Sequence, residues 1–507
     1  MKNFTESNFT SKSDRTNMLL FLIIMVSVIM ISATMIPELM AWTADSQMQT
    51  DKTEQSGQEP GSEKKAPLDY QNASNAKSKT AANDSTVICK VETDRKILPA
   101  GASQNVVIKV TLDALPLDAI PATSNIKRPP VNLSVVLDRS GSMSGSKLER
   151  AKAAAIEALK RLGKNDIFSL VVYDHNVETT VPAQSAQYTE GIMAQISQIQ
   201  PGGNTALFGG VSQGASEIRK NLASRYVHRM ILLSDGIANV GPSTPDDLGR
   251  LGAALLKEGI SVSTVGVGTD YNEDLMAKLS HNSDGNIYFV ESSVDLPRIF
   301  TAELGDVLSV VARKIIITIE MLDGVKPIRI IGRDGTINNN KVELSMNQLY
   351  GGQKKYILVE AQIPESKSGQ NMKIATADIS YENPFSLKSV GDQGSSVITF
   401  SEDKDEVAGS ANIEVVREYE LNINALAREK AIKLSDEGKK EEAVQALKDS
   451  AAKLKSVGSA YKDENLMEQA AALENQAEAI DRDGMSKKSR KLLRTESYQM
   501  KTQQKSK

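Results

Sequence analysis

The chain has 507 residues, with 60 Lys and Arg against 64 Asp and Glu, a formal net charge of -4 and 4% aromatic residues. That length calls for several compact units instead of one core, and the slight acidity excludes a nucleic-acid binder that works by counterion release from a basic face. One cysteine, Cys89, excludes intrachain disulfides and Cys-based zinc frameworks, and three scattered histidines (His175, His228, His281) without an HExxH remove the zinc hydrolases.

Met18 to Ile36 reads MLLFLIIMVSVIMISATMI, an uncharged apolar run long enough to cross a bilayer as a helix. Lys2, Lys12 and Arg15 precede it, against Glu6 and Asp14, while Glu38 and Asp45 follow it, a bias that keeps the N-terminus cytoplasmic. The run is long for a signal peptide and no A-x-A site follows. The expectation is a single-pass membrane anchor at 18–36 with the bulk extracytoplasmic, in the periplasm or at the cell surface; the alternative is secretion after cleavage. Residues 1–44 are then stub and anchor. Residues 45–85, polar and poor in branched aliphatics, read as a disordered linker.

Residues 86–128 carry period-two apolar positions (Val87, Cys89, Val91; Val106, Ile108, Val110, Leu112) of half-buried strands. Over 129–310 the runs VNLSVVLD, DIFSLVVYD, HRMILLSDG, SVSTVGVGT and NIYFVES alternate with helical-period segments such as LERAKAAAIEALKRL. That alternation predicts an α/β domain with a doubly wound, mostly parallel sheet. Period two returns over 311–412 (Ile315, Ile317, Ile319, Met321; Ile357, Val359, Ala361, Ile363). Neither flank has strands enough alone, so 86–128 and 311–412 are expected to form one β-sandwich into which the α/β domain is inserted. Residues 413–480 hold three helical segments, each with one narrow apolar stripe. In the basic tail, 481–507, eight Lys and Arg from Ser486 onward face one Glu, a net of +7. Such a run reads as solvated and disordered, with contact to anionic lipid or polymer as the sharper alternative.

At the end of the first core strand stands Asp138-Arg139-Ser140-Gly141-Ser142-Met143. Loops of a doubly wound sheet converge outside the carboxyl ends of its strands, so Pro201-Gly202-Gly203-Asn204-Thr205 and Ser234-Asp235-Gly236 are expected to meet it. Asp138, Ser140, Ser142, Thr205 and Asp235 then make an all-oxygen set, suited to a hard divalent cation, Mg2+ before Mn2+ or Ca2+. Alone, the Asp-x-Ser-x-Ser loop is equally an ordinary helix N-cap. Tyr271, Asn272, Glu273 and Asp274 either reach the same sheet edge or cap the helix that follows. His175 reads as a loop residue, and His228 and His281 have no ligand-type partners at useful spacing. Gly266-Val267-Gly268 lacks the third glycine of a dinucleotide fingerprint, Gly141 to Lys147 lacks the Gly-Lys-Ser/Thr of a phosphate loop, and no G-x-S-x-G occurs. No placed general base is indicated either, so an enzyme is not expected.

DRSGSM with PGGNTAL and LLSDG resembles the metal-ion-dependent adhesion site of the von Willebrand factor type A family, over about residues 131–310. The resemblance implies that Ser140, Ser142 and Thr205 offer hydroxyls to a metal, that Asp138 and Asp235 act partly through coordinated water, and that a partner's acidic side chain completes the shell. Arg139 and Asn204 would form the ligand rim. The wider layout is similar to bacterial calcium-activated chloride channel homologues and, loosely, to inter-alpha-trypsin inhibitor heavy chains; one apolar segment lines no pore, so the channel label carries no mechanism. The main expectation is a membrane-anchored adhesion protein that captures a protein ligand through the cation. The alternative is a scaffold or assembly subunit of a membrane-associated complex, its contacts made by the helical C-terminus. An ATPase-coupled adaptor is disfavoured by export.

Overall fold

The computed structural model describes residues 84–120 and 128–504, which fall in one compact unit. The expected anchor at 18–36 and linker at 45–85 lie outside the described residues. Among the described residues no helix is long and apolar enough to cross a membrane. The single-pass anchored topology and the membrane as a partner therefore find no support among the described residues.

In chain order, β1 (Val87–Thr93), β2 (Ile97–Pro99) and β3 (Gln104–Ala114) come first. The α/β domain then runs β4 (Val131–Asp138), α1 (Ser146–Lys160), β5 (Ile167–Tyr173), β6 (Val177–Ser185), α2 (Thr189–Ser197), α3 (Leu207–Arg219), β7 (Val227–Ser234), α4 (Pro245–Lys257), β8 (Ile260–Val267), α5 (Glu273–Asn282), β9 (Ile287–Val290) and α6 (Leu296–Val307). Its sheet order is β6-β5-β4-β7-β8-β9, parallel except for β6, which pairs antiparallel with β5. Every residue of β4, β7 and β8 is buried, as strands covered on both faces must be. One face packs residues of α1, α2 and α6, the other residues of α3, α4 and α5. This is the doubly wound arrangement that the alternating runs predict.

The chain continues through β10 (Val310–Met321), β11 (Lys326–Ile331), β12 (Thr336–Asn338), β13 (Lys341–Tyr350), β14 (Lys354–Ile363), β15 (Asn371–Glu382) and β16 (Ser389–Ser401). Two sheets result, β1-β3-β14-β11 and β12-β13-β10-β15-β16-β2, and their apolar faces close over one core. β3 pairs with β14 from Gln104 opposite Ile363 to Asp113 opposite Lys354, and β2 adds parallel to β16. Strands from both sides of the α/β domain thus share each sheet, and the domain is an insertion in the sandwich.

Two buried charge clusters fix the domain against the sandwich. The Arg229 guanidinium donates to Ser263 (3.1 Å), Gln348 (2.8 Å) and the Tyr350 hydroxyl (2.6 Å), and lies 3.4 Å from Glu303. Lys355 lies 3.8 Å from Asp284, which also accepts the Asn347 N–H at 2.6 Å. Burial drives the Lys355 amine down to about 8 despite that carboxylate.

The C-terminus is a helical layer: α7 (Lys404–Gly409), α8 (Ile413–Asp436), α9 (Lys440–Tyr461), α10 (Glu464–Asp483) and α11 (Lys487–Thr502). α8 seats on the sandwich through Val415, with Tyr419, Ile423 and Leu426 against Val107, Ile331 and Leu358, while buried Lys109 of β3 pairs with Glu414 (2.9 Å) and Glu418 (2.6 Å). α9 and α10 pack on each other and on α8 through the stripe Val444, Leu447, Ala451, Leu454, Leu466, Leu473 and Ile480. The basic tail departs from its expected disorder: Lys487–Thr502 is a helix, because its cations find acidic partners on the α/β domain and on α8.

Candidate functional site

The β4–α1, β5–β6, α2–α3 and β7–α4 connections meet at the carboxyl edge of the parallel strands. Gly202 donates its N–H to the Arg139 carbonyl (2.6 Å), and Gly141 donates to the Gly203 carbonyl (3.0 Å), so the first and third of these loops are laced together by backbone. Both glycines are demanded by close approach. A Cβ on Gly202 would lie 1.7 Å from the Asp174 carboxylate, and one on Gly203 2.3 Å from the His175 ring.

Asp138 is fully buried; its Oδ1 accepts the Ser140 N–H (2.8 Å) and its Oδ2 the Ser234 hydroxyl (2.6 Å). The Ser140 and Ser142 hydroxyls lie 3.2 Å apart, and Ser142 donates to Asp235 Oδ1 at 2.6 Å. The Thr205 N–H is held by the Asn239 side chain (2.8 Å). A Cβ placed on Gly236 would stand 3.4 Å from both the Ser142 and Thr205 hydroxyls and 4.0 Å from that of Ser140, so the three hydroxyls gather round one point. The five residues taken from the sequence are therefore neighbours.

The rim residues behave differently. Arg139 is held by Asp174 (3.1 Å) and Glu178 (3.1 Å), whereas Asn204 is exposed. Burial alone would raise the Asp174 carboxyl, but the Asn176 N–H and the Arg139 guanidinium outweigh it and hold it below the usual range. Asn272 caps α5, accepting from Asp274 N–H and Leu275 N–H (both 3.1 Å), and Glu273 and Asp274 face the C-terminal helix, not the loops. His175 is half exposed beside Asp174 (3.3 Å), His228 touches Asn132 (3.4 Å), and His281 meets Asp334 (2.9 Å), a partner remote in sequence.

One residue at the site escapes sequence reasoning. The Lys147 ammonium, from the first turn of α1, lies 2.5 Å from Asp235 Oδ2. With Ser142 on its other oxygen, that fully buried carboxylate is satisfied from within the chain. The gathered hydroxyls suit a hard cation, but both carboxylates have each oxygen engaged and a tethered cation already balances Asp235. Among the described residues no group of three or more His, Cys, Asp or Glu comes together to hold a metal ion. The expected capture of a ligand through Mg2+, Mn2+ or Ca2+ therefore does not hold: the arrangement is a closed polar junction whose carboxylates are satisfied from within the chain.

Burial, reinforced by the Asp235 charge, pushes the Asp138 carboxyl up to about 6 against the hydrogen bonds that favour its ionised form. The folded state then holds this proton more tightly than the unfolded one, so the contribution of Asp138 to stability falls as pH rises from about 4 to 6. Asp138→Asn is expected to stabilise the protein at pH 7 by about 1–3 kcal/mol, a gain that vanishes below about pH 4. Urea unfolding in divalent-free buffer at both pH values checks this, and a loss of stability at pH 7 is the opposite result.

A family model described as the von Willebrand factor type A domain matches residues 132–302, and the chain contains such a domain. Among curated proteins, the chain is 27% identical over 278 residues to an uncharacterized protein, sll0103, of Synechocystis, covering 53% of this chain and 65% of that one. It is 26% identical to the uncharacterized protein YfbK of Escherichia coli (38% and 34% covered) and 31% identical to inter-alpha-trypsin inhibitor heavy chain H2 of Mesocricetus auratus (32% and 18% covered). The match thus spans less than two thirds of each relative's length. Among solved structures, a von Willebrand factor type A protein from Catenulispora acidiphila superimposes with a TM-score of 0.62 at 15% identity, covering 83% of this chain and 98% of that one. The ArnB paralog VWA2 from Sulfolobus acidocaldarius gives 0.54 at 17% identity (83% and 99% covered). At such identities these likenesses show the fold, which extends beyond the α/β domain.

Proposed function

We propose that this chain, with a von Willebrand factor type A domain inserted in a β-sandwich, is a non-catalytic scaffold that joins an assembly through its helical C-terminus. The observation that carries this is the placement of the helical layer. α8 is bolted to the sandwich through Lys109 and the Val415 cluster, α11 closes the layer against the α/β domain through ion pairs, and the α9–α10 hairpin that α8 carries buries one stripe and leaves its other faces in solvent. Such a hairpin is a rigid, presented surface.

Domains of this family often use a divalent cation. Here a cation, Mg2+ before Mn2+ or Ca2+, would have to displace the Lys147 ammonium from Asp235 to use the oxygens of Asp138, Ser140, Ser142, Thr205 and Asp235. In this reading those residues lock the loops together, and assembly does not depend on the ion. Complexes isolated with the tagged full chain from its own cells are expected to keep the same composition when washed with EDTA. Loss of partners in EDTA, restored by Mg2+, would return the contact to the loops.

A further inference from the structure

α11 is an unusual last helix. It carries Lys487, Lys488, Arg490, Lys491, Arg494 and Lys501, yet of its apolar side chains only Leu493 and Tyr498 are fully buried. It lies along α8, where the Ser497 hydroxyl donates to the Ala425 carbonyl (2.9 Å) and Lys501 pairs with Glu429 (3.0 Å), and its footing on the α/β domain is acid. Lys487 pairs with Asp270 (2.9 Å), Lys488 with Glu291 (2.7 Å), Lys491 with Glu273 (2.7 Å) and Arg494 with Asp274 (2.6 Å). Arg490 bridges Glu273, Asp274 and Asp436, tying α5 to α8.

Beyond the charges, the helix covers an open sheet edge. β9 is the last strand of the α/β sheet, and its free side is closed by side-chain amides in place of another strand. Gln504 both accepts the Ile287 N–H (3.0 Å) and donates to the Ile287 carbonyl (2.9 Å), and the Tyr498 hydroxyl donates to the Gly285 carbonyl (2.7 Å). An uncovered strand edge is a template for pairing with another chain, so this cover has a function of its own.

We infer that α11 is a detachable electrostatic strap, held by its basic residues on the acidic flank of the α/β domain, whose release uncovers the β9 edge and a row of four carboxylates. This goes beyond the assembly reading and does not rest on it. The connection to α10 is Gly484-Met485-Ser486, with Gly484 at φ 79°, a hinge that leaves α9 and α10 in place when the strap lifts. The pairs at Lys487 and Lys488 are exposed and open to screening by salt, while those at Arg490 and Lys491 are more enclosed.

Hydrogen exchange on the full chain, read by mass spectrometry, tests this. In Arg490→Gln/Lys491→Gln, amides of 487–502 and of 287–290 are expected to exchange together at least about tenfold faster, with β4, β7 and β8 unchanged. Lys487→Glu/Lys488→Glu, at exposed positions that do not endanger folding, is expected to act in the same direction. Raising KCl from about 0.1 M to 1 M, which shortens the Debye length from about 10 Å to 3 Å, is expected to act so on the wild type. Unchanged exchange over 487–502 in both variants, or its loss only together with β7 and β8, would make α11 an integral part of the core and overturn the inference.

Discussion

Glu303→Ala is expected to cost about 3–5 kcal/mol of folding stability, the effect of leaving a buried charge without its partner. Glu303 and Arg229 are both fully buried, and the carboxylate also accepts from the Ser263 hydroxyl (2.5 Å), the Asn286 amide (2.8 Å) and the Tyr288 hydroxyl (2.7 Å). Burial would raise the Glu303 carboxyl, but Arg229 and these donors outweigh it and hold it low. Removing it strands a guanidinium whose other contacts are the Ser263 hydroxyl of β8 and, in the sandwich, Gln348 and Tyr350. The cluster therefore joins α6, β7 and β13, the elements where the inserted domain meets its host. Guanidinium unfolding measures the loss. Arg229→Met/Glu303→Leu, which removes both charges, is expected to recover most of it. A single-variant loss below about 1 kcal/mol would mean that the junction is held by other contacts.

Gly285→Ala is expected to abolish the native α/β domain, with a loss above about 4 kcal/mol. A Cβ there would lie 2.0 Å from the Val262 carbonyl oxygen and 2.4 Å from its carbon, backbone atoms of the fully buried inner strand β8. Gly285 sits between α5 and β9, at the carbonyl that Tyr498 of the C-terminal helix donates to, so the same position sets the edge strand and its cover. Gly305→Ala is the control: it lies in α6 with open space around it and should be neutral or stabilising by up to about 1 kcal/mol. Soluble yield and circular dichroism of the two variants side by side decide this, and equal folding of both would contradict it.

Which parts of the molecule can be read from the chain depends on how local their physics is. β4, β7 and β8 announce themselves because a strand buried on both faces is a continuous apolar run. β6 (VETTVPAQS) does not, since it is a half-buried edge with no apolar alternation. Asp138, Ser140 and Ser142 share one loop, and the carboxyl-edge rule brings Thr205 and Asp235 to them. Lys147 escaped because an ion pair 88 residues long leaves no mark on either segment. The same holds for α11, whose partners Asp270, Glu273 and Asp274 lie more than 200 residues upstream; its charge suggests a solvated tail until the acidic flank is seen. Arg139 reads as a rim cation only while Asp174 and Glu178 are unseen.

The central claim, that contacts run through the helical end and not through the loops, is tested most directly by crosslinking in the native cell with two variants of the full chain. Ser142→Ala/Thr205→Ala alters the polar junction, whereas Ala471→Glu/Asn475→Glu places charge on the exposed face of α10 without touching its buried stripe. The account predicts that the loop variant keeps the wild-type set of crosslinked partners and the α10 variant loses it. Loss in the loop variant with retention in the α10 variant would contradict it.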